Sequence, residues 1–169
     1  NLIIFIKNIM KEAYFVSQNK LINEIFKELQ KNNVIVLQDE AVLLDNNYYI
    51  LGRKDLSEFY RGGKRENMRA LVNKLDKSKY IVVLDHQPND YKNQAYAEVD
   101  LVLSGHTHGG QLWPLNKAGE WMGVNDKTYG YERRNLTDFI VTSGISDWAI
   151  KFKTGTKSEI VVIDIKNRS

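Results

Sequence analysis

The chain has no cysteine, only two prolines and only three histidines in 169 residues. Without cysteine there are no disulfides, no thiolate zinc sites and no thiol nucleophile. The redox compartment is left open. Any metal must be held by histidine nitrogen and by carboxylate or amide oxygen, a donor set suited to manganese, iron, zinc or magnesium. Long hydrophobic runs are missing too. The apolar run at residues 2–6 is stopped by Lys7, far short of the ~20 residues of a spanning helix. It also lacks the basic start and small-residue cleavage site of a signal peptide. The first residue is Asn1 rather than methionine, which implies a cut end and leaves any upstream anchor out of view. Net charge is only +3, from 24 basic and 21 acidic side chains, too mild to indicate a nucleic-acid partner.

What remains is the composition of an ordinary globule, 43% apolar and 27% charged, with the length of a single domain. The expectation is one domain over residues 1–169. Residues 53–79 are the lopsided part, with Arg53, Lys54, Arg61, Lys64, Arg65, Arg69, Lys74, Lys77 and Lys79 against Asp55, Glu58, Glu66 and Asp76. A solvated basic face is the simpler account; a surface that attracts an anionic substrate is the alternative.

Residues 2–16 are apolar without a clean period and read as either a strand or a helix. Leu21, Ile22, Ile25, Phe26 and Leu29 have helical spacing, which predicts a helix over residues 20–32 ended by Asn32-Asn33. Residues 34–37 read as a short buried strand. Residues 41–44 and 48–51 flank Asp45-Asn46-Asn47 and read as a hairpin. A polar loop follows over 52–63, then a second amphipathic helix over 66–75. Residues 80–84 and 100–103 are unbroken apolar strands, as in sheets covered on both faces, joined by a helix or turn over 89–98. Residues 139–142 and 158–165 read as two further strands.

The histidines stand where two of these strands end, in Leu84-Asp85-His86-Gln87-Pro88 and Ser104-Gly105-His106-Thr107-His108-Gly109-Gly110-Gln111. Ligands of α/β sheets bind just beyond the carboxyl ends of strands. Any one histidine alone would pass for a surface residue. Three gathered at two strand ends indicate metal ligation. The glycines around Thr107 (Gly105, Gly109 and Gly110) allow positive φ and close backbone approach, so one loop can aim two imidazoles differently. Two ions ~3.5–4 Å apart would neutralise a phosphoester and activate water against it. Three histidines do not fill two such sites. Of the nearby acids, Asp85 points away from His86 by strand alternation and Asp100 opens its strand at the wrong end, so both read as structural. Trp113, Trp121, Tyr129, Tyr131, Arg133 and Arg134 read as a hairpin packed on the sheet, with a substrate-groove wall as the alternative.

These segments resemble the C-terminal half of the calcineurin-like metallophosphoesterases, and more closely their bacterial membrane-associated or exported branch. The segment around His86 is similar to the family's fourth motif, and Gly105 to Gln111 to its fifth. Tyr49 to Asp55, Leu112-Trp113-Pro114, Val141 to Gly144 and Ser158 to Ile163 are similar to the flanking strands and loops. The likeness covers residues 20–165; residues 1–19 match poorly. It implies that His86 and His106 bind the second metal and His108 the first, with Gly105, Thr107, Gly109 and Gly110 as the supporting loop. It implies the rear half of a four-layer α/β/β/α sandwich, two divalent ions in the intact enzyme, and a phosphate mono- or diester substrate. It also implies membrane proximity through a missing N-terminal region, or otherwise a cytoplasmic place.

The family's first three motifs (Asp-x-His, Gly-Asp-x-x-Asp and Gly-Asn-His with an acid) have no counterpart: the first aspartate is Asp39, and no histidine precedes His86. The expectation is a C-terminal fragment whose unpaired sheet edge invites self-association. The alternatives are a catalytically dead remnant with weak metal binding, and a structural metal module.

Overall fold

The computed structural model describes residues 18–60, 62–145 and 152–166, with the backbone alone for 18–23, 58 and 59. The chain divides into two compact units, residues 1–36 and 37–169. The strand or helix expected over 2–16 lies outside the described residues.

In the first unit, helix α1 spans Gln18–Lys31. Asn33 ends it at φ 58°, a left-handed conformation that asparagine tolerates. The Asn33 N–H donates to the Gln30 carbonyl at 3.0 Å and the Val34 N–H to the Leu29 carbonyl at 2.9 Å. This is the Schellman closure of a helix end. It also explains a correction. Residues 34–37 form no strand, because the Val34 amide is spent on the helix end, and Val34 and Ile35 stand exposed.

The second unit is built on a six-stranded sheet of order β1-β2-β3-β4-β6-β5. Strands β1 (Glu40–Leu44) and β2 (Tyr48–Gly52) form the expected antiparallel hairpin. Its turn places Asp45 at φ 47° and Asn46 at φ 55°, the conformation whose twist suits a hairpin. Two short helices follow, α2 (Leu56–Tyr60) inside the expected polar loop and α3 (Met68–Val72). Asn67 caps α3 by accepting the Arg69 N–H at 2.9 Å. Strand β3 (Tyr80–Leu84), helix α4 (Tyr91–Tyr96) and strand β4 (Leu101–Ser104) form a parallel crossover unit. After the short helix α5 (Ala118–Trp121), strands β5 (Gly130–Arg134) and β6 (Thr137–Val141) make a second hairpin.

Strands β2, β3, β4 and β6 run parallel, with Gly52 opposite Leu84, Leu84 opposite Leu103, and Ser104 opposite Val141. Their carboxyl ends therefore line up on one margin of the sheet. One face is sealed by α3 and α4: Leu51, Ile81, Val83, Val102, Phe139 and Val141 pack with Met68, Leu71, Val72, Tyr91 and Ala95. Tyr91 stacks on Phe139 with ring centroids 3.9 Å apart. The opposite face carries a thinner cluster of Ile50, Val82 and Leu101, joined by half-buried Leu37, Val42, Leu84 and Ile140.

Two more expectations are corrected. Residues 158–165 form no strand, and Ile160 and Val162 are 83% and 90% exposed. Among the described residues the segment is joined to the rest by one backbone bond, from the Glu159 N–H to the Gly144 carbonyl at 3.0 Å, and not by a ladder. The basic stretch is not wholly a solvated face: Arg53 and Arg65 are buried in ion pairs with Asp85. As for the aromatic cluster, Tyr131, Arg133 and Arg134 do lie on the β5–β6 hairpin. Trp113 and Trp121 lie outside it and are 71% exposed.

Candidate metal centre

The site is assembled by segments that leave the aligned strand ends. His86 follows β3 by two residues, and its carbonyl accepts the Gly105 N–H at 3.1 Å. That bond extends the pairing of β3 and β4 one step beyond the ladder and sets the two histidine loops side by side.

The second loop is held in unusual backbone. His106, His108, Gly109, Gly110 and Gln111 all have positive φ, from 40° to 74°. Non-glycine residues adopt this region at a cost and persist there where the surroundings enforce it. The enforcement is visible. The Thr107 hydroxyl donates to the Thr128 carbonyl. The Thr156 hydroxyl donates to the His108 carbonyl at 3.3 Å. The Thr154 and Gly155 amides both donate to the Gln111 carbonyl, at 2.8 and 3.0 Å. A Cβ on Gly110 would stand 1.9 Å from the Asn116 carbonyl oxygen, so that close passage requires glycine.

The result is a contact between the two loops. His86 Nε2 and His106 Nδ1 are 3.0 Å apart, with the rings nearly perpendicular at 78°. Burial pushes His86 below its ordinary pKa, and the charges of His106 and His108 push it further, against the pull of Asp55. His106 is lowered as well, by desolvation first and then by the His108 charge, again opposed by Asp55. His106 is exposed overall, so its desolvation comes from the ring and loop beside it, not from enclosure. Both rings are thus biased to the neutral form, the one that offers a lone pair to a metal.

The donor set fits an ion in part. Two nitrogens bound cis at ~2.1 Å to one ion stand about 3.0 Å apart, the separation found here. The half-buried His108 influences both rings. Yet among the described residues no group of three or more histidine, aspartate or glutamate side chains is arranged to hold a metal ion. The histidine pair is a beginning of a coordination sphere and not the whole of one.

The acids near the histidines divide by role. Asp85 is buried and accepts from Gln94 Nε2 at 2.8 Å and from Arg65. Burial holds its carboxyl above the ordinary value, against the pull of Arg65 and Arg53. Asp90 pairs with Arg53 at 3.1 Å, Glu98 with Lys77 at 3.5 Å, and Asp100 accepts the Ile81 N–H at 2.7 Å. These are structural bonds. Asp55 differs, and sequence reasoning passed over it as a site residue. Its Oδ2 lies 4.0 Å from His86 Nε2. Burial works to raise its carboxyl, but hydrogen bonds from Ser57 and the charges of His86 and His106 carry it below its ordinary value. The available signal was its place three residues beyond the end of β2, beside the strand that delivers His86.

Comparison with known proteins supplies the family. An uncharacterized metallophosphoesterase of Campylobacter jejuni is 31% identical over 154 residues, covering 87% of this chain and 39% of its own length. An uncharacterized metallophosphoesterase of Aquifex aeolicus is 40% identical over 95 residues, 54% of this chain and 35% of its own length. A transmembrane protein with metallophosphoesterase domain from Bos taurus is 37% identical over 82 residues, 47% of this chain and 18% of its own length. No family model matches, and no solved structure gives a significant match. The chain belongs to the calcineurin-like metallophosphoesterases, hydrolases whose name implies divalent metal ions. It spans less than half the length of these three relatives.

Proposed function

We propose that this chain is the rear half of a phosphoesterase domain in which His86, His106 and His108 take divalent ions at the margin of the sheet. The observation that carries the reading is the 3.0 Å approach of His86 Nε2 to His106 Nδ1, made by two loops leaving neighbouring parallel strands. When bound, divalent ions would supply an activated water and charge neutralisation for hydrolysis of a phosphate mono- or diester. The chain's own residues do the positioning. The positive φ at His106 and from His108 to Gln111 turns the second loop toward His86, and Gly105, Thr107, Gly109 and Gly110 hold that turn in place.

The missing carboxylates decide the scope of the proposal. A two-ion centre needs ligands beyond three histidines, and the described residues do not assemble them. In this reading the remaining ligands, and the other two layers of the sandwich, come from sequence outside this chain. The outer strands β1 and β5 have no strand partner on their far sides among the described residues, which leaves edges free for that half or for a second copy. Membrane proximity belongs to the same reading. One relative is named a transmembrane protein, and no helix among the described residues is long and apolar enough to cross a membrane.

The test is manganese binding by electron paramagnetic resonance, with hydrolysis of a chromogenic phosphodiester measured alongside. The chain should bind manganese, and His106→Ala should abolish both the binding and any hydrolysis present. Hydrolysis that survives His106→Ala refutes the assignment, as does a chain that takes up no ion.

A further inference from the structure

The segment after the histidine loop is firmly held, yet it turns its largest apolar side chains to solvent. The Trp113 N–H donates to the Thr154 hydroxyl at 2.9 Å. The Val124 N–H donates to the Gly119 carbonyl at 2.8 Å, and the Asp126 N–H to the Pro88 carbonyl at 2.7 Å. Between these bonds run a single 3-10 turn at Leu115–Lys117 and helix α5. Trp113, Leu115, Trp121, Met122 and Val124 are nevertheless 63–71% exposed. Apolar residues scattered singly over a surface need no partner, but several large ones in one segment mark an interaction site.

The exposed residues come in unbroken runs, from Trp113 to Leu115 and from Trp121 to Val124. Successive side chains leave the backbone in different directions, so a rigid protein face would cover only part of each run. A fluid surface closes around all of it. Tryptophan, apolar in body with one polar N–H, concentrates at the boundary of water and lipid. The exposed charge has the sign that suits lipid phosphate. Among the described residues Lys117 pairs with no acid, whereas Glu120, the one acid between Trp113 and Val124, accepts the Thr128 N–H. We propose that this segment docks on a phospholipid bilayer, with Trp113 and Trp121 entering the interface and Lys117 reaching the phosphates. The contact borders the histidine loop, because Gly110 packs against Asn116. It is distinct from the membrane proximity proposed above, which comes from sequence outside this chain, and it needs no bound ion.

The test is cosedimentation of the full chain with vesicles of equal parts phosphatidylcholine and phosphatidylglycerol, without added metal. Burying one large apolar side chain shifts an equilibrium by about 10-fold to 100-fold. We expect wild type to pellet with the vesicles and Trp113→Ser/Trp121→Ser to bind them at least about tenfold more weakly. Ile160→Ser/Val162→Ser, changed at exposed apolar positions outside the segment, should match wild type. A smaller loss in the tryptophan variant overturns the assignment, as does an equal loss in the Ile160 and Val162 variant or a wild type that stays in solution. Sedimentation velocity without vesicles reveals the rival occupant: if the tryptophan variant loses a self-association that wild type shows, the segment is a contact between copies and the bilayer assignment falls. Should the tryptophan variant fail to fold, as judged by urea unfolding, Leu115→Ser/Met122→Ser takes its place under the same criterion. Failure here leaves the manganese test above untouched, since neither measurement uses the other's ligand.

Discussion

Replacing Gly110 by alanine should damage this protein far more than replacing Gly123 by alanine, although both are glycines in the left-handed region, at φ 74° and 68°. An L residue held there costs roughly 1–2 kcal/mol. Alanine returns about 0.4–1 kcal/mol by restricting the unfolded chain. For Gly123, whose added Cβ would meet nothing within 4 Å, those terms are all there is, and the net loss is on the order of 1 kcal/mol or less. For Gly110 the new Cβ stands 1.9 Å from the Asn116 carbonyl oxygen and 2.5 Å from its carbonyl carbon and Cα. Real contacts of this kind stay beyond 3.0 Å, so backbone must retreat by about an ångström on one side. Overpacking of this sort costs a further ~1–3 kcal/mol. Urea unfolding with linear extrapolation should place Gly110→Ala about 1–3 kcal/mol below Gly123→Ala. The displaced backbone begins two residues after His108, so manganese affinity should fall for Gly110→Ala and hold for Gly123→Ala. Equal stabilities for the two variants would refute the argument that backbone contact, and not conformation alone, requires glycine at 110.

Three further outcomes are expected. Asp85→Ala removes the carboxylate that pairs the buried Arg65, while Arg53 keeps Asp90 and Asp39, and breaking a buried pair costs about 3–5 kcal/mol; a urea midpoint close to wild type would show that the pair is not what secures the end of β3. The ion-free protein should lose stability as pH falls. His86 and His106 have folded pKa values below 6.5, so the unfolded chain gains protons first as pH drops through the mid-6 range, and stability rises with pH there. The loss levels off once the folded rings protonate too, and a His86→Ala/His106→Ala double variant should show a flatter profile between pH 7.5 and 5.5 in urea unfolding. The unpaired edges of β1 and β5 should drive self-association of the chain made alone, and sedimentation as a strict monomer at high concentration would count against that.

The elements legible in the sequence are those whose pattern is local. Tyr80–Leu84 is apolar throughout and is a strand end to end. The hairpin announced by Asp45-Asn46-Asn47 forms because asparagine and aspartate accept the positive φ that its turn needs. The failures have a different cause. Residues 34–37 and 158–165 are as apolar as true strands, but a strand exists only where a neighbour offers a ladder. The Val34 amide is taken by a helix end, and among the described residues 158–165 make one backbone bond, from the Glu159 N–H to the Gly144 carbonyl. Strand β5 shows the converse. Gly-Tyr-Glu-Arg-Arg has little apolar content, yet it pairs with β6 across a tight turn at Asn135, whose φ is 54°. At the site, histidine chemistry was readable because the residue is scarce in this chain. Asp55 was not, since an aspartate at the start of a helix is explained by capping alone.

Sheet register is what turns these separate segments into one site. Gly52, Leu84 and Leu103 stand side by side across β2, β3 and β4. Asp55 comes three residues after the first, His86 two after the second and His106 three after the third. Residues 31 and 20 positions apart in the chain therefore meet within 4.0 and 3.0 Å. Alternation then assigns the roles of neighbours. Asp85 turns inward to Arg65 and Gln94, and His86, next in line, turns outward to His106. A single residue inserted between Leu84 and Asp85 would take the inward place beside the buried arginines and put the carboxylate at the margin, where the imidazole now stands. The buried aspartate and the half-buried histidine thus depend on one register: the ion pairs that hold Asp85 in place are also what keep His86 facing its partner loop.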